Sequence, residues 1–583
     1  MKKISKILPI FGFAFIALLF GCAKGYEPVL SLDDYIQRHK EPFLSMQKCI
    51  YAANCYPAFE HTIELSPILY KCDKSPKAGF FIDLENMRDI TIDGNGAVIS
   101  LDAYNSFLRA VNCENVVIKN LTITYHRSAL TQGTVKEINV KEGYFLYDID
   151  KNYATLPSDK WAKSNYGKDA WQWGCVISRL SRNVKDVLAD RIFIEKIDAL
   201  DNGKYNVYPS ANQIELLKKI AVDDAFVMRA PIERNMRIEA KTEREFIAQS
   251  MLEDDAAIFV PKFLPNALFY ACKNITLDNV HFSNVRQNAI VVVKNKGSIT
   301  ISNSSVTRAC ESDIVSSWGS AIVATDNKYG PHIERCVFDG MMEDCIDLAC
   351  RPSYIVKQID DHTYEVAGES LMAGDDMAIF YPDTGEWIDF VRIVNGGGNL
   401  IHTNRPIPNI VVATEKTRAD YTATQLFNMN KINAGSVISE CSFGTQRRNA
   451  IITNAHDNLI TGNTFTDVGG SAIIASNELD LTCSGPLPHN LTISLNNVIS
   501  THSTPIVIGA ETVADKPLDQ SFDVSIIDNR VRASSNSLKY LIDITNGKNF
   551  DFSGNHFYNL NDDQVDAISA VRIGKNAKNV NFN

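Results

Sequence analysis

The stretch HNLTISLNNVIS, residues 489–500, alternates apolar and polar side chains, pauses at an asparagine, and then begins a second short run of the same kind. Alternation with a period of two is typical of a β-strand with one buried face. Asparagine tolerates the left-handed backbone conformation, so Asn496 marks a tight bend between two strands. The stretch therefore predicts two short strands that meet at a corner.

The same strand, corner and strand recur along the chain, roughly every 22 to 35 residues, which is the range of solenoid repeats. A unit this short cannot bury its own apolar face, so successive units must stack. Similar stretches are MRDITIDGNGAVI (87–99), CENVVIKNLTITY (113–125), CKNITLDNVHFSN (272–284), KGSITISNSSVTR (296–308), PHIERCVFDG (331–340), GSVISECSFG (435–444), HDNLITGNTFTD (456–467), FDVSIIDNRVRA (522–533) and KNFDFSGNHFYN (548–559).

The corner asparagines indicate which solenoid is built. An asparagine can hydrogen-bond its own copy one turn above or below, which suits the bend between two strands of a parallel β-helix. The Leu-x-x-Leu-x-Leu frame of leucine-rich repeats is absent. We therefore predict an all-β chain that forms a right-handed parallel β-helix of the pectate-lyase-like kind. The corner residues are Asn120, Asn279, Asn303, Asn463, Asn496, Asn529 and Asn555.

Two long segments, 128–262 and 351–430, break the repeat with hairpin-like runs. They contain similar stretches, AVDDAFVMR in the first and AGDDMAIFY in the second. Both predict small β-barrels inserted in the β-helix, and long excursions from a rigid scaffold commonly wall a site. The predicted organisation is a signal peptide (1–21), an N-terminal cap (22–79), first rungs (80–127), a first barrel (128–262), central rungs with the candidate site (263–350), a second barrel (351–430) and C-terminal rungs (431–583).

The N-terminus is typical of an export signal. Lys2 and Lys3 precede the apolar run 7–20, which is shorter than a mature transmembrane helix. The run ends in Leu-Phe-Gly-Cys22, which resembles the bacterial lipobox, whose cysteine is lipidated. We expect a protein of the bacterial cell envelope that is held at the outer membrane by this lipid and by no other anchor. A plain signal peptide with a coincidental cysteine is the alternative.

Composition limits the classes of partner. A hydrophobic fraction of 45% with 22% charged residues is typical of a globular chain. A net charge of −11 without a basic cluster argues against nucleic acid and against anionic lipid surfaces as partners. The chain has no CxxC pair and no zinc-site pattern, so we predict no metal site.

The cysteines allow two interpretations. Cys49 and Cys55 are close enough in sequence to pair in an oxidising compartment. Four others lie just before or within strand-like runs, where a small buried residue is the expected role. These four are Cys113, Cys272, Cys336 and Cys441.

Residues 341–351, MMEDCIDLACR, place three carboxylates within five positions of a stretch otherwise suited to burial. In a strand, Asp344 would point to one face and Glu343, Cys345 and Asp347 to the other, while a bend near Cys345 would bring Asp344 round. Because the second insert leaves directly afterwards, we expect these acids at the end of a rung, beside a wall. A solvated turn with a structural aspartate is one reading, and a carboxylate pair for glycoside hydrolysis is the reading we favour.

Three stretches resemble a known family: FDGMMEDCID (338–347), ACKNITLDNVHFSN (271–284) and residues 436–476. They are similar to rungs of glycoside hydrolase family 110, the exo-acting α-1,3-galactosidases, whose marker is Asp-Asp-Ala-x-Asn ahead of a barrel. The resemblance covers most of residues 80–500. It implies a β-helix with two barrel-like inserts, an oligo- or polysaccharide substrate that contains galactose, and no cofactor.

The chain also departs from the pattern of that family. The leading Asp of the marker is Glu343 here, and its Asn is Asp347. The resemblance implies a third carboxylate one rung earlier, where this chain has a serine, so Asp313 or Asp326 would have to replace it. A later Trp-x-Glu-Ser-Gly motif appears as LTCSG (481–485), without its aromatic residue and its acid. These changes bear on galactose specificity more than on catalysis.

For a hydrolase, the resemblance implies inversion of configuration. One carboxylic acid protonates the leaving oxygen, while an ionised carboxylate activates a water on the opposite face of the sugar. The two carboxyls must lie about 6.5 to 9.5 Å apart, and stacked rungs about 4.8 Å apart can supply that spacing. We expect Asp344 as one partner and Glu343, Asp347 or Asp313 as the other.

Other side chains are candidates for sugar contacts. Arg351, Arg447 and Arg448 are suited to bind hydroxyls or an anionic substituent such as a sulfate, although each is also typical of a surface ion pair. Trp318 is a candidate to stack on a pyranose ring. The sequence leaves the oligomeric state open.

Two other functions are compatible with the sequence. A β-helix polysaccharide lyase would abstract the proton at C5 with Lys or Arg, and acids at 343–347 would then hold Ca²⁺. A glycan-binding lipoprotein without catalysis would keep the fold after losing an acid. Unsaturated products would mark the first, and binding without turnover the second.

Overall fold

The structure is a computed structural model, and the predicted signal peptide and Cys22 lie outside the residues it describes. The described residues are 26–72, 79–102, 105–126, 130–151, 153, 173–184, 190–200, 203–229, 265–369, 371–479, 483–513, 518, 520–535 and 538–583.

Most strands of the chain pair in parallel with the equivalent strand of the next turn, which forms a β-helix with three faces. Face A contains Phe80–Glu85, Ser106–Val111, Ala267–Tyr270, Ile290–Val293, Ile322–Thr325, Ile346–Ala349, Ile451–Thr453, Ile473–Ala475, Ile506–Ile508 and the first parts of Ile542–Ser553 and Val571–Phe582. The predicted fold class, a parallel β-helix with two inserted barrels, is confirmed.

Faces B and C complete each turn. Face B contains Val29–Ser31, His61–Glu64, the first parts of Arg88–Leu101, Glu114–Tyr125 and Lys273–Phe282, then Ile299–Ser302, His332–Glu334, Val437–Ser439, His456–Thr461, His489–Ser494, Ser521–Ile527 and the second parts of the last two long strands. Face C contains Leu69–Cys72, the second parts of the three long strands from 88 to 282, then Ser305–Val306, Val337–Phe338, Ser442–Phe443, Thr464–Phe465, Asn497–Val498, Arg530–Arg532 and His556–Tyr558, which pairs with Gln564–Val565.

The interior of the coil is a column of apolar side chains, because every second residue of each strand points inward. On face C this column includes Phe338, Phe443 and Phe465, with ring centroids 5.3 Å and 4.8 Å apart in successive turns. Residues of like size stack upon one another, so the pattern of one turn fixes the register of the next.

The corner asparagines occupy two neighbouring positions rather than one. Asn120 and Asn279 take the left-handed conformation, with φ of 57° and 54°, and the Asn279 amide donates to Asn120 Oδ1 at 2.9 Å on the exposed edge. Asn463 and Asn496 instead follow a left-handed residue and point into the coil, where the Asn463 amide donates to Asn496 Oδ1 at 3.0 Å. The left-handed bend and the buried ladder are therefore made by adjacent residues.

Cysteines share these buried corner columns with asparagines. Cys113, Cys272, Cys336 and Cys441 all carry free, buried thiols, which confirms the predicted role. The Cys441 thiol lies against the Ile333 carbonyl at 3.7 Å, as the Asn463 amide lies against the Ile438 carbonyl at 2.9 Å. A thiol is thus a weaker substitute for the amide at this corner.

Two helices cap the first turn, Leu32–His39 and Pro42–Asn54. The Glu41 side chain accepts from the Phe43 N–H at 2.9 Å, and Pro42 occupies the first helical position, so the sequence starts the second helix sharply. Its buried face includes Cys49, whose thiol is free, so the suggested Cys49–Cys55 bridge is wrong. The strands Val29–Ser31 and His61–Glu64 already belong to face B, inside the segment predicted as a cap.

The first insert leaves after Glu114–Tyr125, whose second part is the third strand of face C, and is a closed six-stranded antiparallel barrel, hereafter barrel one. Its core is continuous with Ile314, Val315, Trp318 and Met342, which lie on turns of the β-helix. The strands are Leu130–Asn139, Tyr144–Ile149, Trp173–Ile177, Ile192–Ala199, Lys204–Pro209 and Ala225–Arg229, with the 3-10 helix Ala211–Lys218 between the last two.

The second insert, hereafter barrel two, leaves directly after Ile346–Ala349 and has its own apolar core. Its antiparallel pairings close a ring of six strands, to which Leu371–Met372 adds an edge. The six strands of the ring are Ser353–Gln358, Thr363–Ala367, Asp376–Tyr381, Glu386–Gly398, Leu400–Thr403 and Gln425–Asn428. The short helix Glu415–Ala419 belongs to this barrel, and a second short helix, Ala567–Ala570, lies near the C-terminus. Within the described residues, no helix has the length and apolar character needed to cross a membrane.

The buried ladder is testable through Asn496, which is 1% exposed and bonded on both sides. We expect Asn496→Ala to lower the free energy of unfolding by about 2–4 kcal/mol, because it leaves buried amide and carbonyl groups of neighbouring turns unpaired. Urea unfolding monitored by circular dichroism measures the change. The matched control is Asn274→Gly on the exposed ladder, with φ of 55°, for which we expect a change below about 1 kcal/mol. Equal effects of the two substitutions would contradict a stabilising buried ladder.

Candidate functional site

The carboxylates of residues 343–347 lie at the start of a face A strand. The chain bends through Met342–Cys345, and the strand begins only at Ile346, so the strict alternation expected over 343–347 is wrong. Ile346 and Leu348 point into the core, and Asp347 points outward from the coil. In the rungs on either side, Val323 and Ile452 occupy the positions beside Asp347.

Asp347 is a carboxyl group whose surroundings do not favour its charge. Its Oδ1 is buried and has no hydrogen-bond partner among the described residues. Burial raises the pKa of Asp347 to about 8, and the negative charges of Glu478 and Asp344 add to the shift, while Arg351 and Arg448 oppose it. Its surroundings therefore favour the protonated form of the group.

Asp344 approaches the same region from the bend. Its Oδ1 accepts the Asn449 backbone N–H at 3.0 Å and the Asn449 side-chain amide at 2.8 Å. Its Oδ2 lies 3.6 Å from Arg448 Nε. Burial raises the pKa of Asp344, whereas Arg448 and the Asn449 hydrogen bonds lower it. The bend predicted near Cys345 thus brings Asp344 to the side of Asp347.

Glu343 is tied to arginines. Its carboxylate lies 3.2 Å from Arg448 Nη1, 3.4 Å from Arg447 Nη1 and 3.8 Å from Arg191 Nη2 of barrel one. Three cations surround this carboxylate, and they join barrel one to the β-helix. Glu343 is therefore better suited to position the arginines than to donate a proton.

Arg447 and Trp318 do not face a sugar site, which corrects two expectations. The Arg447 guanidinium is buried, donates to Asp190 Oδ2 at 2.7 Å and to the Met342 carbonyl at 2.5 Å, and stacks on Trp173. Trp318 is 2% exposed and packs on Trp173 with ring centroids 4.8 Å apart. Both side chains fasten barrel one to the coil.

Asp313 does not supply the missing third carboxylate either. It is 5% exposed, and its oxygens accept the Ala309 and Cys310 backbone N–H groups at 3.2 and 3.3 Å and the Tyr153 hydroxyl at 2.5 Å. These bonds close the loop 309–313 under barrel one. The expectation that Asp313 pairs with Asp344 is therefore wrong, since its oxygens serve the loop.

A second buried acid lies one rung before Asp347. Burial raises the pKa of Asp326 to about 7, with a further contribution from Glu369 of barrel two. Asp326 Oδ1 accepts the Arg351 backbone N–H at 2.9 Å, and Glu369 pairs with Lys294 at 2.6 Å. Arg351 thus lies between the two raised acids, and Arg448 lies on the far side of Asp347 with its side chain 41% exposed.

Glu478 is the site residue that the sequence interpretation missed. The chain after Ile473–Ala475 forms a hairpin in which Glu478 pairs with Ser484, and Gly485 then pairs with Cys350, with both backbone bonds at 2.9 Å. This return brings Glu478 beside Asp347, on whose pKa it has the largest effect of any charge. The sequence does contain a signal for it. Glu478 lies six residues before Ser484, next to the LTCSG stretch in which the acid of the expected Trp-x-Glu-Ser-Gly motif is missing.

Comparison with known proteins gives one curated relative. No protein-family model matches the chain. It is 19% identical over 443 residues to alpha-1,3-galactosidase B of Akkermansia muciniphila, a match that covers 72% of this chain and 49% of that protein. The chain therefore spans about half the length of the curated relative it matches.

Two solved structures are similar over nearly the whole chain. The A-module of mannuronan C-5 epimerase AlgE4 of Azotobacter vinelandii is 8% identical with a TM-score of 0.37, and the match covers 95% of this chain and 100% of that one. The family 28 exopolygalacturonase of Yersinia enterocolitica is 11% identical with a TM-score of 0.36, and the match covers 96% of this chain and 78% of that one.

The geometry brings Asp347 of a face A strand together with Asp344 of the bend and Glu478 of the hairpin, with two arginines beside them. Such a set can donate a proton to a leaving oxygen and can accept one from water. Of the residues predicted from the sequence, Asp344, Asp347, Arg351 and Arg448 lie in this group, together with Glu343 at its edge.

Asp347 makes stability depend on pH. Its carboxyl ionises near 3.8 when free and near 8 in the fold, so the folded state holds the extra proton between these values, and stability falls as the pH rises through this range. Asp347→Asn cannot ionise. We expect it to be more stable than the wild type by about 2–5 kcal/mol at pH 9, and by much less at pH 5.

Thermal unfolding followed at both pH values measures the difference. Asp383→Asn, an exposed acid in a turn of barrel two, is the matched control and should show no such dependence. A stability difference for Asp347→Asn that is the same at pH 5 and pH 9 would show that Asp347 titrates normally.

Proposed function

We propose that this protein is a glycoside hydrolase that acts on galactose-containing glycans, as an exo-acting and inverting α-galactosidase. The observation that carries the proposal is the outward-facing Asp347, whose Oδ1 is buried without a hydrogen-bond partner among the described residues and whose pKa burial raises to about 8, beside Asp344 and Glu478. The curated relative named alpha-1,3-galactosidase B, and the resemblance of residues 338–347 to family 110, favour galactose as the sugar.

The chemistry follows from the two kinds of carboxyl. Asp347 gives its proton to the glycosidic oxygen as the bond between that oxygen and the anomeric carbon breaks. An ionised carboxylate on the other side takes a proton from a water whose oxygen forms the new bond to the anomeric carbon. The burial that keeps Asp347 protonated at pH 7 is the same feature that fits it to act as the acid.

The charge of the site favours a neutral sugar. Two arginines, Arg351 and Arg448, lie beside the acids Asp344, Asp347 and Glu478. Arg448 is already paired with a further acid, Glu343, at 3.2 Å. A uronate or a sulfate would add a negative charge beside a carboxyl that is already forced to stay neutral. This observation favours a hydrolase of neutral galactosides over the alternative of a polyuronate lyase.

Removal of the acid tests the proposal. We expect Asp347→Asn to lower kcat on an unactivated α-1,3-linked galactoside about a hundredfold to ten-thousandfold, because the leaving oxygen then departs without a proton. The wild-type rate should fall as the pH rises through about 8, where Asp347 loses its proton. Proton NMR during turnover should show β-galactose as the first product, as inversion requires.

Asp383→Asn is again the matched control and should keep full activity. Unsaturated products would instead establish a lyase, and binding of the glycan without turnover would establish a binding protein. Full activity of Asp347→Asn would remove Asp347 from the mechanism.

We also propose that the chain is anchored in the bacterial envelope through a lipid on Cys22, on the strength of the Leu-Phe-Gly-Cys motif. The full chain, expressed in bacteria fed an alkyne-labelled fatty acid, should take up the label and sediment with membranes. Cys22→Ser should lose both, whereas the control Cys310→Ser, which removes an exposed thiol, should keep both. Labelling that survives Cys22→Ser would contradict the anchor.

A further inference from the structure

The hairpin that carries Glu478 belongs to a rung two turns after that of Asp347. The strands Ile346–Ala349, Ile451–Thr453 and Ile473–Ala475 are successive in face A, so two rung spacings separate the two acids along the coil, about 9 to 10 Å. The hairpin then returns to Cys350, which closes part of this separation. The arrangement suits a pair of carboxyls with room for a water between them, which needs about 6.5 to 9.5 Å.

The Glu478 side chain is held in a defined orientation. The Ser484 hydroxyl across the hairpin donates to Glu478 Oε2 at 2.9 Å. The Asn454 side chain meets the Ser484 hydroxyl at 3.2 Å, so the hairpin is also fastened to the rung between the two acids. The backbone pairings of Glu478 with Ser484 and of Cys350 with Gly485 fix the position of the main chain.

Asp344, the other acidic neighbour of Asp347, is arranged differently. Both hydrogen bonds from Asn449 fall on its Oδ1, and its Oδ2 faces Arg448. It also lies on the same segment as Asp347, three residues earlier, so both carboxyls approach the site from one rung. The water that a base activates must attack the anomeric carbon from the face opposite the acid, so the base lies on that opposite face.

From this geometry we infer that Glu478 is a catalytic residue, the base of the reaction, and that Asp344 is a positioning residue that orients Arg448 and Asn449. The inference rests on the proposed hydrolase function. In the reaction, Glu478 takes a proton from water, the water oxygen bonds to the anomeric carbon, and the bond from that carbon to the leaving oxygen breaks. The leaving oxygen takes the proton of Asp347, so charge and atoms balance.

A pair of substrates separates the two roles. A nitrophenyl α-galactoside loses its leaving group with little help from a proton, whereas an α-1,3-linked disaccharide needs that proton. We expect Asp347→Asn to keep the nitrophenyl rate within about tenfold of the wild type while its disaccharide rate collapses. Glu478→Gln should lose about a hundredfold or more on both substrates. The amide can still accept from the Ser484 hydroxyl, so the hairpin should stay folded.

A small anion provides a second measurement that does not depend on the glutamine variant. Azide added to Glu478→Ala with the nitrophenyl substrate should enter the space of the lost side chain and yield β-galactosyl azide, whereas wild type should yield only β-galactose. The matched control is Glu365→Gln, an exposed glutamate of barrel two, which should behave as wild type on both substrates.

The outcomes are distinct. One outcome is that Asp344→Asn loses activity on both substrates, Asp344→Ala yields β-galactosyl azide, and Glu478→Gln stays active. In that case Glu478 is not the base, and the hydrolase proposal stands. If wild type cleaves neither substrate, the hydrolase proposal fails, and the inference for Glu478 fails with it. Loss on both substrates together with azide product from Glu478→Ala supports the inference.

Discussion

The hydrogen bonding between parallel strands of successive rungs is the constraint on which the structure depends. It sets the spacing along the coil at about 4.8 Å and leaves the register to side chains at the corners and in the core. The buried asparagines add bonds between rungs at the points where the backbone turns and strand pairing stops. A carboxyl on one rung is therefore held at a defined height relative to a carboxyl on another, which acid–base chemistry between rungs requires.

Burial and the neighbouring negative charges raise the pKa of Asp347, two arginines oppose them, and the balance gives the site its chemical character. An aspartate on an outward position of a sheet would normally be ionised and solvated. Here apolar neighbours at the same position of adjacent rungs, and negative charges on either side, favour the protonated form. The arginines keep the neighbouring acids in place without restoring an ordinary pKa to Asp347. The instability of the ionised group is thus a property that the proposed mechanism uses.

The sequence predicts the coil and the inserts well, because both depend on local patterns: alternation, corner residues and hairpin-like runs. It predicts the site only in part. Asp344 and Asp347 are recognisable because they interrupt an apolar stretch. Arg447 and Trp318 are residue types that often bind sugars, but here they pack between barrel one and the coil. Glu478 is 131 positions from Asp347, and the stacking of face A strands together with the backbone pairing of Gly485 with Cys350 brings them together. No local pattern encodes such a return.

Barrel two is inserted between Ile346–Ala349 and the face B strand Val437–Ser439, yet the rungs on either side pair without a shift in register. The placement of each strand in this coil is thus set by its pairing with the neighbouring rung, and the length of the connecting chain does not affect it. An ancestral chain could exchange one such insert for another while the acids kept their mutual placement. Selectivity for a glycan and the capacity to cleave it would then evolve on separate parts of one polypeptide.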